Sequence, residues 1–336
     1  MKRNASKILI ITAVSWLFLF YGISLVEAKD PDYPTKPINF IIPWAAGGPT
    51  TEVTRPLLEA ASKVLGQPFV ILNKPGGAAL LGATVVLNAK PDGYTLGLFT
   101  AGHVTIAPHI EDTPYRDLSG FTIIAKFISY PQAFTVRGDS PFNTWQDFMK
   151  WAKNNPRAAK ICFPSSKTKS PQGLVMWQIE QKEGVEITYM VPAGTAEALT
   201  LLLGGHITGD FMALNPTKVQ YVRDGKIKIL TYATPHKNLG YENIPSLGEL
   251  YPDIYPFDAL MGIWGPKDLP AHVIKRLEDA FSKAISDHSF IEMANRLCLL
   301  VSYKKSEEFK KDIHKESLKA KEIIDKLREE EEKGKK

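Results

Sequence analysis

Only two cysteines, Cys162 and Cys298, occur in 336 residues. No disulfide framework and no CxxC metal or redox motif can therefore organise this chain. In an oxidising compartment the two either pair or remain buried thiols, and their apolar neighbours favour the thiols. An excess of one sign of charge is also lacking. The formal net charge is +5 and the basic residues are scattered, so nucleic acid is not an expected partner. Catalytic signatures are missing too: there is no GxSxG elbow and no HExxH. Gly77 and Gly82 have the spacing of a phosphate loop, but Ala83 and Thr84 follow where Lys-Ser/Thr is required. Ser165 and Ser166 have no base supplied by any recognisable pattern. The expectation is a protein that is not an enzyme and carries no metal or cofactor.

Long hydrophobic runs are limited to one. Ile8 to Leu25 is almost wholly apolar, preceded by Lys2, Arg3 and Lys7 and followed by Val26-Glu27-Ala28. Such a run is nearly long enough to span a bilayer, but the small residues at 26 and 28 match a signal peptidase site. Cleavage is expected after Ala28, with the product in a bacterial periplasm. No cysteine follows the run, which argues against a lipid anchor. The remaining chain, about 308 residues, suits one or two domains.

Its pattern alternates strand, loop and helix. Ile38 to Ile42 reads as a strand that empties through Pro43 into Trp44, Ala45, Ala46, Gly47 and Gly48, with Thr50 and Thr51 as N-caps of the next helix. That helix carries Val53, Leu57, Ala61 and Leu65 and closes at Gly66, with Pro56 either kinking it or delaying its start. Strands at 69–72 and 94–100 bracket another helix near 80–89, and the βαβαβ run implies a parallel sheet. A second unit starts near Tyr130. Its helix over Trp145, Phe148 and Trp151 is capped by Asn143 or Thr144. A strand at 161–163 meets the loop Ser165-Ser166-Lys167-Thr168-Lys169, and Ser170-Pro171 reads as an N-cap with proline at the first helical position. A strand at 187–191 leads through Ala193, Gly194 and Thr195 into a further helix. Two late helices follow Pro270 and Ser306.

Three strand-to-helix junctions thus carry small or hydroxyl residues. Ligands of open α/β sheets sit outside the carboxyl ends of the strands, and helix N-termini favour anions. If two such sheets face each other, the three junctions share one cleft suited to a small organic anion.

The stretches YPTKPINFIIPWAAGGPTT, LGQPFVILNKPGGAALLGA and AKPDGYTLGLFT resemble the substrate-binding proteins of tripartite tricarboxylate transporters. The resemblance continues through the Ser-Ser loop, GTAEALTLLLGGHIT and DGKIKILTYAT. It implies an α/β type II periplasmic binding protein, two α/β domains hinged around a ligand cleft. One domain would comprise 29–128 plus 254–336 and the other 129–253. It also implies a monomeric receptor that delivers a small carboxylate to large and small permease proteins in the membrane. A sensor-kinase partner binding the same acid is the alternative. The site carried over comprises Trp44 to Gly48, Thr50, Thr51, Thr100, His103, Ser165, Ser166, Lys167, Ser170, Ala193, Gly194 and Thr195.

The chain departs from the pattern at several points. Pro49, Thr50 and Thr51 stand where a glycine and a threonine–aspartate often occur. Lys167 and Lys169 replace both glycines of Ser-Ser-Gly-x-Gly-Ser, Gly173 stands for a histidine, and Pro192-Ala193 for Tyr-Lys. Lys167 or Lys169 either reaches the distal carboxylate of a di- or tri-acid or is a solvated loop lysine. Trp44 either stacks on an aromatic acid or packs at the hinge. His103 either donates to a carboxylate or is structural.

Overall fold

Eleven strands build two sheets, among the residues that the computed structural model describes: 33–111, 113, 118–233, 243–254 and 258–333. The expected signal segment and its cleavage point lie outside these residues. The strands are β1 (Ile38–Ile42), β2 (Phe69–Asn73), β3 (Thr95–Thr100), β4 (Phe121–Ser129), β5 (Gln132–Arg137), β6 (Ala159–Cys162), β7 (Ile187–Met190), β8 (Gly209–Ala213), β9 (Ile227–Tyr232), β10 (Leu260–Pro266) and β11 (Leu300–Lys305). The helices are α1 (Pro49–Leu65), α2 (Leu80–Leu87), α3 (Ala107–Ile110), α4 (Trp145–Asn154), α5 (Pro171–Glu183), α6 (Thr195–Leu203), α7 (Pro216–Arg223), α8 (Leu247–Leu250), α9 (Ala271–Ala284), α10 (His288–Arg296) and α11 (Ser306–Lys333). Among the described residues, no helix is long and apolar enough to cross a membrane.

The first sheet has the order β11-β4-β10-β3-β1-β2 and the second β7-β6-β8-β5-β9. Each sheet is mixed: in the first, the three strands of the βαβαβ run are parallel, as expected, and strands from later in the chain are not. β1 pairs parallel with β2 and β3, but β10 runs antiparallel to β3 and β4, and β11 antiparallel to β4. The cause is the route of the chain. β4 ends at Ser129, where the chain leaves for the second sheet, and β10 starts at Leu260, paired with Ser129. A returning strand that starts at that end must run backwards. β5 is antiparallel to β8 and β9 for the same reason, starting at Gln132 opposite Ala213. At the crossing the Tyr130 N–H donates to the Ala259 carbonyl at 2.7 Å. The carboxyl ends of β1, β3, β6 and β8 consequently gather on the side where the two sheets meet.

Helix α1 shows how local sequence sets an element. Val53, Leu57, Ala61 and Leu65 fall on one buried face, and Gly66 ends the helix in the left-handed conformation at φ 77°, which costs glycine little. Its start differs from expectation. Gly48 is the N-cap and Pro49 takes the first helical position, so Thr50 and Thr51 lie inside the first turn and the helix runs through Pro56. Proline pre-sets the helical φ and lacks only an N–H that the first turn leaves unbonded anyway. Thr144, in contrast, caps α4 in a reciprocal box with Asp147, as one of the two expected candidates.

The last helix belongs to both cores. Phe309 and Ile313 pack with Phe99, Ile123 and Trp264 of the first sheet. Ala320, Ile323, Ile324 and Leu327 join Phe134, Ile161 and Phe211 of the second, together with Trp177 of α5. At 28 residues it spans about 42 Å and ties the two sheets together. Both cysteines are free thiols, Cys162 buried and Cys298 half-buried.

Candidate ligand-binding cleft

The strand ends enclose a cavity of about 470 Å³ between the two sheets, within the size range of small-molecule sites. The first sheet contributes Trp44, Thr100 and His103, and the second Gln132, Ser165, Lys169, Ser170 and Gln172. Tyr130 lies at the crossing between them. Five of the expected residues therefore come together here: Trp44, Thr100, His103, Ser165 and Ser170.

Trp44 follows β1 and is held from behind. The Asn73 amide donates to the Trp44 carbonyl at 2.8 Å and to Thr51 Oγ1 at 3.2 Å. Its ring meets His103 edge-on, centroids 5.6 Å apart, and His103 Nδ1 shares a 2.7 Å hydrogen bond with Thr100 Oγ1. His103 sits in a π-helical turn, Gly102–Ile106, an irregularity often found at functional sites. Ala45, Ala46 and Gly47 form an exposed loop beside this wall, and Gly47 has φ +79°. Thr50 points to the crossing, where its side chain hydrogen-bonds Tyr130. Burial pushes the Tyr130 hydroxyl up to about 12, with the Thr50 bond opposing, so it is a neutral donor at neutral pH.

On the opposite wall Ser170 caps α5, accepting from the Gly173 N–H at 3.0 Å and donating to the Ser166 carbonyl at 3.3 Å. Pro171 and Gln172 then bring the positive end of this 13-residue helix to the cavity. Gln172 donates to Gln132 at 2.6 Å, both side chains buried. The loop packs so tightly on α5 that a Cβ at position 173 would lie 2.3 Å from the Lys167 carbonyl oxygen. This accounts for Gly173 standing where the resembling pattern has histidine: no side chain fits there.

The remaining expected residues lie elsewhere. Lys167 turns away to Glu180 at 2.9 Å and stands 4.5 Å from the Tyr189 ring centre. There it lines a different cavity, of about 400 Å³, with Trp177 and Leu327. Glu180 is buried and also accepts from Tyr189 and the Ile187 N–H, so Lys167 completes an internal network. Ser166 supplies backbone bonds to its own loop. Ala193, Gly194 and Thr195 start α6 outside the cavity, and the Ala193 N–H is occupied by Glu197 at 2.6 Å. The chain's own carboxylate thus sits at that helix N-terminus. Among the described residues, no cluster of three or more His, Cys, Asp and Glu could hold a metal ion.

The model of the family described as "Tripartite tricarboxylate transporter family receptor" matches residues 53–328. The chain belongs to this family. A curated member from Cupriavidus necator, the UPF0065 protein in the gbd 5' region, is 30% identical over 301 residues, 90% of each chain. The crystal structure of a TctC solute binding protein from Polaromonas, 28% identical, matches with a TM-score of 0.77 over 88% of this chain and 99% of its own. An R. palustris protein solved with adipate, 21% identical, shares the fold at a TM-score of 0.72 over 87% and 97% of the two chains. As a member of this receptor family the chain has the two-domain type II binding-protein fold, and the cavity lies between the two sheets.

Sequence reasoning missed Asn73, Tyr130, Gln132, Gln172 and Glu111. Asn73 was readable as a polar end to a strand. Tyr130 and Gln132 flank Pro131, a mark of a chain crossing, but nothing local assigned them to a cavity wall.

Proposed function

We infer that this receptor captures a small organic carboxylate in the periplasm and passes it to membrane subunits of a tripartite transporter, without catalysing any reaction. The observation that carries the reading is the cavity wall at the start of α5, where Ser165, Ser170 and the positive helix end face Thr100 and His103. A helix N-terminus stabilises an anion by about 0.3–1 kcal/mol at an exposed site and ~2 when partly buried. Hydroxyl, imidazole and amide donors add charge-assisted bonds. The fold-level likeness to a protein solved with adipate agrees with this class of ligand.

Among the described residues, no base is hydrogen-bonded to Ser165. The imidazole among the described lining residues, His103, is bonded to Thr100 on the other wall, and a general base must reach the proton it removes. Thermal-shift measurements against mono-, di-, tri- and aromatic carboxylates, beside neutral sugars and amino acids, test the ligand class, because a ligand bound only by the folded state raises the melting temperature. The expected result is a rise confined to carboxylates. A response to neutral solutes alone defeats the reading. Loss of carboxylate uptake on deleting the gene, with transcription unchanged, tests delivery.

A further inference from the structure

The cavity contains an ion pair of its own. Among its described lining residues, Lys169 is the single lysine or arginine and Glu111 the single carboxylate. The two meet at 2.7 Å. They arrive from different directions: Glu111 follows α3, on the chain leaving β3 of the first sheet, and Lys169 lies in the loop between β6 and α5 of the second. His103 and Tyr130 are the other ionisable groups on the described walls.

Lys169 is one of two lysines in this loop that replace glycines of the resembling pattern. The other, Lys167, is committed to Glu180, so Lys169 is the one that faces the cavity. Its side chain is 50% exposed and that of Glu111 30%. A pair this open is held weakly and can exchange partners. The helix end and Ser165 offer a place for one carboxylate of a ligand. A second carboxylate reaching for Lys169 then meets Glu111 already there.

Resting on the receptor reading above, we propose that Glu111 is a built-in surrogate for the distal carboxylate of a di-acid, holding Lys169 until the ligand takes its place. Glu111 thereby sets the affinity ceiling for di-acids and the discrimination between di-acids and mono-acids. One lysine cannot satisfy two carboxylates at once, so the displaced Glu111 remains near the ligand as a repulsive charge. Removing that charge while keeping the side chain's shape should favour the di-acid more than a mono-acid of equal length.

Calorimetric titration of the purified protein, Glu111→Gln, Lys169→Met and the double variant tests this, using butyrate with succinate, hexanoate with adipate, and octanoate with suberate. In Glu111→Gln the preference for di-acid over matched mono-acid should rise about two- to fivefold, the range of an exposed ion pair. Lys169→Met should turn the preference toward the mono-acid, because Glu111 is left unpaired beside the distal carboxylate, and the double variant should lift that bias. An unchanged or smaller preference in Glu111→Gln overturns the proposal while leaving the receptor reading intact. So does a loss of affinity for an amino acid that the wild type binds, which would make Glu111 a direct partner of an ammonium group. If no carboxylate of either kind binds the wild type, the receptor reading falls and this inference falls with it.

Discussion

Replacing Glu316 by glutamine should stabilise the protein near neutral pH, although it removes a buried carboxyl. Glu316 sits on the line of α11 that otherwise carries Phe309, Ile313, Ala320 and Ile324, and it is 6% exposed. Burial first, and then the charge of Asp258, push its carboxyl up to about 8 from an ordinary 4.5. Asp258 itself is engaged by Lys126 and by Ser129 at 2.9 Å. Asp258 Oδ1 and Glu316 Oε2 are both buried without a hydrogen-bond partner. A proton on Glu316 supplies a donor between two groups that otherwise offer only acceptors. Between 4.5 and about 8 the folded chain keeps this proton while the unfolded chain has released it. Fewer protons on the unfolded state mean that stability falls as pH rises through this window and levels off above it, at up to ~1.4 kcal/mol per pH unit. Allowing for relaxation around the site, the total loss is on the order of 2–4 kcal/mol. Glutamine carries the donor at every pH and no charge. Urea unfolding from about pH 5 to pH 8 measures both proteins, and their difference cancels titrations elsewhere. The variant should match the wild type near the acid end and exceed it by ~2 kcal/mol or more near the alkaline end. A flat difference, or one that grows toward acid, refutes the protonated Glu316.

Lys218 and Asp210 form a fully buried pair at 2.5 Å, with Thr135 donating to the same carboxylate oxygen at 2.7 Å. Lys218→Met should cost about 3–5 kcal/mol, since it leaves a buried charge alone, and adding Asp210→Asn should recover part of that in urea unfolding. Gly173→Ala should destabilise by about 1–3 kcal/mol through overpacking against the Lys167 carbonyl. Calorimetry on that variant should also show weaker carboxylate binding, because the shifted loop carries Ser165 and Lys169. Ser165→Asp should lower carboxylate affinity by at least about tenfold through like charges in close contact, with an unchanged melting temperature in the absence of ligand. Retained affinity in this variant would remove Ser165 from the anion's wall.

The parts legible in the sequence were those with strong local signals. Strand β1 and its small-residue loop, the Gly66 stop, the Thr144 cap and the Ser170-Pro171 start all rest on interactions within a few residues. Strands β4, β5 and β11 were not found, and for β4 the reason is physical. Lys126 interrupts the apolar run of β4, yet it is buried against Asp258, more than a hundred residues away. The direction of β10 follows from where the chain crosses between sheets, which no local pattern records. Glu316 likewise breaks the apolar line of α11, as a carboxyl whose proton is held by burial and by Asp258, neither of which a local pattern records. The site divides likewise. Loop composition pointed to Trp44, Ser165 and Ser170 and the family resemblance to Thr100 and His103, but Lys167 and Lys169 look alike in sequence. Only Glu180 and Glu111, reached through folding, send one inward to a network and the other into the cavity.

A crystal structure with the carboxylate that gives the largest rise in melting temperature tests the central claim most directly. The account predicts a carboxylate group between Ser165 and the start of α5 on one side and Thr100 and His103 on the other. A ligand seated instead in the cavity beside Trp177 and Lys167, or on the outer surface, would contradict it.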